Sequence, residues 1–530
     1  MKYIFNFLLA AVSVTAQPTD NPVESRYGKS VAAWTDEFDW DNIVSINDYS
    51  GADWNTKLEK AQKELSKKGG GVVFFPAGIY FFQKTVKLKS HIVLRGENPV
   101  GLKDAYDGEY QLSTQFEFPK YEPSIGGQSN NVETAFKGIR LEYSNTTTHC
   151  GVINIAINRG HIKFGADVYQ IDEFAEEFEK YGRNHIVFGC ILRNAAIADP
   201  NIPHVWQQPW QVWTHRHNAA IDIRAAGNVL VANNRIPESG EDDFLMPGYA
   251  IKPGKNNEGE TVTRDDITFR YDNRPGIYVN YGSITGSVKE APHCYAKGID
   301  IRDNYIYNYG CMGIGFSGDG TYCCGNVIRF KPNNYLPIYN GTNMNHHVNN
   351  NRAIEMRALR WTVEYNNYEV YSNTQPDSTD WFGKYGDGEG LMHEQHDNMP
   401  LIKDSKLRYN IGNRYLCLWR TPIDGLEIVG NIIRTSTNEY MGNGSMAICI
   451  QGQVHQTNRL LEIKNLRILN NITSGSGIRI LGIDKGGNII KGNQHMGPGE
   501  GIIESSMPGL NLKENTNYKL TDKISYGAGL

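Results

Sequence analysis

The densest run of side chains able to do chemistry is Tyr385-Gly386-Asp387-Gly388-Glu389-Gly390-Leu391-Met392-His393-Glu394-Gln395-His396-Asp397. Asp387 and Glu389 stand two residues apart and are closely followed by His, Glu, His and Asp. Such a set can give and take protons, and the three glycines let a ligand come close to the backbone. The plainer reading is a polar turn. His393 and His396 are three residues apart, a weak metal signal, and the spacing is not that of a zinc-protease helix. A second cluster is Trp210-Gln211-Val212-Trp213-Thr214-His215-Arg216-His217, with His204 and Trp206 nearby. Histidine is the side chain most easily tuned to act as a base near neutral pH. His215 and His217 flanking Arg216 beside tryptophans would suit an acidic sugar; a packed loop is the alternative. His346-His347 with Arg352, and Trp419-Arg420, would add to the same face.

Two reactions fit these residues. The first is β-elimination on a uronic acid, which needs a cation on the C6 carboxylate to acidify the C5 proton, and a base to take it. Arg357, Arg302 or Arg216 could neutralise the carboxylate. His215, His217, His393 or a tyrosine could serve as base and acid. The leaving group would be a sugar, in a lyase, or water from a chain end, in a dehydratase. The second is glycoside hydrolysis with Asp387, Glu389 or Glu394 as acid and base, where the carboxylate separation decides between inversion and retention. The basic, histidine-rich character of both clusters favours elimination. A non-catalytic carbohydrate-binding protein is the third class, and the carboxylates with paired histidines argue against it.

The bulk properties narrow the setting. The 530 residues carry 40% hydrophobic and 21% charged side chains, as in a globular chain. A formal net charge of -5 disfavours a general nucleic-acid surface, so an acidic saccharide would need a local basic site. The 55 glycines suit frequent tight turns, and the 30 tyrosines suit stacking on sugar rings. After Met1-Lys2-Tyr3 comes an apolar run from Ile4 to Val14, and Val14-Thr15-Ala16 before Gln17 fits a cleavage site. Residues 1–16 therefore read as a signal peptide and 17–530 as one domain, periplasmic or secreted, with no lipid attachment at the cleavage site. No later stretch reads as a membrane helix, and a monomer is expected. The eight cysteines form no CxxC pair, so a zinc ribbon is unsupported; disulfides and buried thiols both remain open.

The elements that must position these residues begin with a helix over Asp53 to Leu65, with Trp54, Leu58, Ala61 and Leu65 on one face and Gly69-Gly70-Gly71 as its stop. GGGVVFFPAGIY follows, then a short strand, then HIVLRGE. This succession resembles the opening of pectate-lyase-like parallel β-helix proteins. The resemblance implies an all-β, single-stranded right-handed solenoid whose open end the helix caps. It leaves the chemistry open, because lyases, hydrolases, epimerases and tailspikes share the motif. Lyases of this fold often hold Ca2+ through clustered carboxylates; Asp387, Glu389 and Asp397 would be the candidates here, though nothing requires a metal. The chain also resembles, more closely, β-helix enzymes acting on uronate-containing algal polysaccharides such as ulvan.

The rest of the chain supports the solenoid independently. A small residue, an aliphatic, a variable residue and another apolar residue recur at Ala220-Ile221-Asp222-Ile223-Arg224, Gly298-Ile299-Asp300-Ile301-Arg302, Gly313-Ile314-Gly315-Phe316-Ser317 and Ala353-Ile354-Glu355-Met356-Arg357, with looser copies from Gly390, Tyr415, Ala447 and Gly477. Asn-containing turns follow, as at Gly227-Asn228, Asp303-Asn304, Tyr365-Asn366, Gly430-Asn431 and Asn470-Asn471, and Asn and Gly tolerate left-handed corners. Segments at about 100–135, 165–182, 200–217, 237–295 and 331–350 read as inserted loops. With the first isoleucine of each copy inward, the outward pairs are Asp222/Arg224, Asp300/Arg302, Gly315/Ser317, Glu355/Arg357, Met392/Glu394, Cys417/Trp419, Cys449/Gln451 and Arg479/Leu481. Carboxylates, then arginines, then Trp419 would line a groove for an acidic poly- or oligosaccharide, bound by Arg216, Arg224, Arg302, Arg352, His396, Trp419 and Arg420. The plain alternative is a set of ion-pair ladders that merely solvate a sheet. Cys417 and Cys449 fall at equivalent positions in adjacent coils, spaced for either a disulfide or a stack of thiols.

Overall fold

A computed structural model describes residues 18–101, 104–118, 141–143, 147–158, 160–164, 182–193, 219–224, 227–237, 245–247, 254–255, 261–262, 268–270, 276–280, 296–307, 312–330, 352–358, 360–370, 389–393, 401–434, 446–453, 459–475 and 477–521. Short strands with alternating burial wind through them in three long sheets of 14, 13 and 12 strands. Strand order in each sheet skips by coils, and neighbouring strands in all three pair in parallel, as between Ile221–Arg224 and Ile277–Asn280. The chain is a right-handed parallel β-helix. Its interior is one continuous cluster in which Ile221, Ile277, Ile314, Ile354, Leu391, Leu416, Ile448 and Ile478 stack coil on coil. No coil could bury such a face alone, so stacking supplies the core.

The helix Trp54–Lys67 closes the N-terminal end, as expected. The Asp53 side chain accepts from the Thr56 amide at 2.7 Å, capping it, and Leu58, Ala61 and Leu65 enter the core cluster. A feature that the sequence reading missed precedes it. Val23, Phe38 and Trp40 pack on Val72, Val93, Ile153, Ile186, Phe188, Leu230 and Ala232, covering the outer face of five early strands of the 14-stranded sheet. Arg95, in the HIVLRGE motif, is fully buried and reaches back to this strap, donating to the Asp20 carbonyl at 2.6 Å and its carboxylate at 2.8 Å.

The asparagine turns have a more specific cause than left-handed tolerance. Asn234, Asn304, Asn326, Asn366, Asn410, Asn431, Asn471, Asn493 and Asn515 form a ladder, each side-chain amide donating to the Oδ1 of the next at 2.8–3.0 Å. Each also donates to a backbone carbonyl of the coil before, as Asn366 does to Cys323 at 3.0 Å. The left-handed residue is the one before the ladder position: Asp303, Gly325, Tyr365, Tyr409, Gly430, Asn470 and Gly492 all have positive φ. Asn228 is not in the ladder; it sits in the strand Gly227–Ala232 and bonds Asn184.

Two other expectations need correction. The segment 237–295 is not one loop: Ile277–Asn280 is a full member of the 13-stranded sheet, and Leu245–Pro247 pairs antiparallel with Thr268–Arg270. Gly298–Arg302 repeats the small–aliphatic pattern but lies in the 14-stranded sheet, between Gly227–Ala232 and Thr321–Cys324. The pattern marks an inward-facing strand of either sheet, because both present alternate residues to the same core.

His185, in the 14-stranded sheet, is fully buried with its ring stacked on Phe164 at 4.9 Å. Burial, aided by His149, holds its pKa down at about 3. The unfolded chain, at ~6.5, takes up the proton first, so the native state loses stability as pH falls through the interval between these values, by up to ~1.4 kcal/mol per pH unit. The unfolding free energy from urea titration is expected to drop between about pH 7 and about pH 5, and to drop about 2 kcal/mol less in His185→Phe. Equal slopes in the two proteins would sink this assignment.

Candidate functional site on the outer face of the 13-stranded sheet

Strand register sets an outward row on this sheet. Coil by coil it reads Lys163, Asp222, Tyr278, Gly315, Glu355, Met392, Cys417, Cys449, Arg479 and Glu504. These residues alternate along their strands with the core isoleucines and leucines. The face is nonetheless shielded: Lys163, Asp222, Tyr278, Glu355, Arg352 and Arg357 are each 5 % exposed or less. Charged side chains are rarely buried so deeply unless paired, which makes this stretch the strongest candidate site among the described residues.

Its centre is an Arg–Glu–Arg cluster on one strand, Arg352–Ala358. Arg352 Nη1 lies 2.9 Å from Glu355 Oε1, and Arg357 Nη2 meets the same oxygen. One carboxylate thus gathers two guanidiniums, each a planar fork suited to a carboxylate or sulfate. Gly315 places no side chain in the row between Glu355 and Tyr278. Two coil steps of ~4.8 Å put the backbones of Tyr278 and Glu355 about 10 Å apart along the row. Ser317 pairs with Arg357 on the same coils.

The sequence-derived candidates divide three ways. Arg352 and Arg357 are brought together here. Trp419 lies on the same sheet, because Glu355 pairs with Met392 and Met392 with Cys417, two coils on. Its indole packs against Cys417, Met446 and Cys449. Arg420 follows at φ 56, its amide donating to the Gln451 carbonyl at 2.8 Å.

Arg302 is placed elsewhere, which corrects the groove as first drawn. It sits in the 14-stranded sheet, gripping Asp300 through Nε at 2.8 Å, with its guanidinium 5.1 Å from the Tyr322 ring centre and 5.4 Å from that of Tyr27 in the N-terminal strap. Arg302→Ala is therefore expected to lower the thermal midpoint by several degrees, corresponding to about 1–2 kcal/mol from a half-buried pair and two ring contacts. Turnover per folded molecule should stay unchanged; a selective loss of turnover would restore the residue to a substrate role.

The third group falls partly or wholly outside the described residues. For Glu389 and His393 the backbone is described: Glu389 is opposite Arg352, and His393 opposite Leu418. Arg224 is opposite Asn280. The side chains of these three lie outside the description, as do His215, Arg216, His217, Asp387, Glu394, His396 and Asp397 entirely. Among the described residues no group of three His, Cys, Asp or Glu could hold a metal ion. Cys417 and Cys449 are free thiols in direct register, so the stack is realised and not the disulfide. No helix among the described residues is long and apolar enough to cross a membrane.

Sequence reasoning missed Tyr278 and Lys163. Tyr278 was legible, since Gly276-Ile277-Tyr278-Val279-Asn280 carries the same small–aliphatic–x–aliphatic signature as the strands on either side. Lys163 lies in the three-residue strand Ile162–Phe164, too short to show a period.

No protein-family model matches the chain, and no curated protein matches it. Solved structures similar to it include PfbA, a surface adhesin of Streptococcus pneumoniae, at 13% identity over 89% of this chain and 93% of that one, TM-score 0.43. Another is the A-module of an Azotobacter vinelandii mannuronan C-5 epimerase, at 10% identity over 90% and 99%, TM-score 0.36. A third is a mutant tailspike protein of E. coli bacteriophage HK620 in complex with a pentasaccharide, at 9% identity over 92% and 79%, TM-score 0.43. At these values the likeness carries no argument about chemistry, and the fold rests on the chain's own strand pairing.

Proposed function

We propose that this protein is an exported carbohydrate-active enzyme that performs β-elimination on uronic-acid-containing poly- or oligosaccharides. The observation that carries the reading is the convergence of Arg352 and Arg357 on Glu355, two coils from Tyr278 with only Gly315 between them in the row. A uronate C6 carboxylate held by these guanidiniums has its negative charge neutralised, which acidifies the C5 proton. A base takes that proton, the C5 electron pair forms the C4–C5 double bond, and the C4–O bond breaks. The departing oxygen takes a proton from the Tyr278 hydroxyl. His215, His217 and His393 are the candidate bases. Burial of the cluster strengthens each charge interaction by excluding water.

The test is a panel of uronate-containing oligosaccharides and polymers, followed by ultraviolet absorbance. A rise shows the new conjugated double bond, and mass spectrometry separates lyase from dehydratase by whether water is lost. New reducing ends without absorbance would transfer the case to hydrolysis by Asp387, Glu389 or Glu394. Binding without any product would leave a carbohydrate-binding solenoid. Asp387, Glu389 and Asp397 remain the candidates for Ca2+, and loss of turnover on chelation, restored by calcium, is the check.

A further inference from the structure

The proposed reaction makes no use of the C-terminal half of the outward row. There Cys417 and Cys449 are paired residue to residue on adjacent strands, Leu416–Trp419 and Ile448–Gln451. Both are buried, at 1 % and 3 % exposure, and they share one cluster with Met446, itself 4 % exposed. Tyr415 and Trp419 pack against this cluster. The next coil places Arg479 in register with Cys449, bonded through Nε to Glu504 at 2.8 Å.

From this geometry we infer that Cys417, Cys449 and Met446 form a binding site for a soft monovalent cation, cuprous copper. Two thiols and a thioether are the donors that select Cu(I) over harder ions. Zinc, by contrast, completes a tetrahedron with thiolate, imidazole or carboxylate donors, and this cluster offers only two thiolates. Coils ~4.8 Å apart set the two cysteines side by side in register, so both sulfurs can reach one ion from adjacent strands without backbone movement. Aromatic cover and burial keep water from the ion. The interaction is a ligand exchange with no electron transfer: copper stays Cu(I), bonds form from the cysteine sulfurs, and each displaced thiol proton passes to solvent. Arg479 faces the thiolate charge so created.

The test uses the full-length protein, reduced with a non-thiol reductant, and cuprous ion supplied as its coloured complex with a competing chelator. Wild type is expected to withdraw one equivalent of copper, more strongly as pH rises. Cys417→Ala and Cys449→Ala should each weaken retention by about 100-fold or more, and Met446→Leu by about tenfold. Thermal unfolding of each copper-free variant verifies that it folds. Failure of folded wild type to retain copper overturns the proposal, as does equal retention by the Cys417→Ala/Cys449→Ala double variant. Isolation of the exported protein lighter by two hydrogens, with Cys417 and Cys449 in one cross-linked peptide, overturns it in favour of a disulfide. None of these readouts depends on the elimination reaction.

Discussion

Tyr278→Phe is expected to lower kcat on a uronate polymer by about 10²–10⁴-fold, the usual contribution of a positioned proton donor, with KM changed little. The substitution keeps the ring, so packing of Tyr278 against Ala219 persists and the fold is spared. A substrate whose leaving group departs without protonation should lose far less activity in the variant. That contrast separates a proton donor from a residue that merely packs beside the arginine cluster. An unchanged kcat on the natural polymer would remove Tyr278 from the chemistry, while leaving the arginine cluster as a binding site.

Asn366→Leu is expected to destabilise the chain by about 4 kcal/mol or more, read as a lower denaturant midpoint. Asn366 stands within the ladder and is 1 % exposed. It accepts from the Asn326 amide and side chain at 2.9 Å each, and donates to Cys323 O and Asn410 Oδ1 at 3.0 Å each. Leucine has similar volume but strands all four partners in an apolar interior, at ~1–3 kcal/mol each before relaxation. Asn515→Leu, at the last position, also breaks four bonds, but the site is half-buried and water can replace them, so it should cost less than half as much. Equal losses at the two positions would show that the ladder does not act through its continuity.

The fold was legible because its causes are local. Apolar alternation, the glycine stop after the cap helix and the asparagine corners are all written within a few residues of where they act. Register was not, because it depends on how much chain each coil spends before returning. Gly298–Arg302 therefore looked equivalent to Ala353–Arg357, although the two strands face different directions on the solenoid. The same cause hid Tyr278 inside what read as one long insertion and put Arg302 on the groove. Arg352, Arg357 and Trp419 share one sheet because the copies of the pattern beside them happened to belong to it. Burial of the outward row had no sequence signal at all, since Asp222 and Glu355 look like solvated strand residues until their surroundings are known.

The N-terminal strap changes how this solenoid holds together. A stack in which each coil touches only its neighbours unfolds piecewise, losing coils from whichever end is weaker. Val23, Phe38, Trp40 and Tyr27 instead bridge six successive strands of the 14-stranded sheet, from Val72 to Arg302. That lateral clasp couples the early coils into one cooperative block, so none of them can open without releasing the strap from all the others. It also sets when the clasp is completed, because Tyr27 meets Arg302 only once the strand ending there has been added. The protein is thus latched shut by its beginning only after its middle is made.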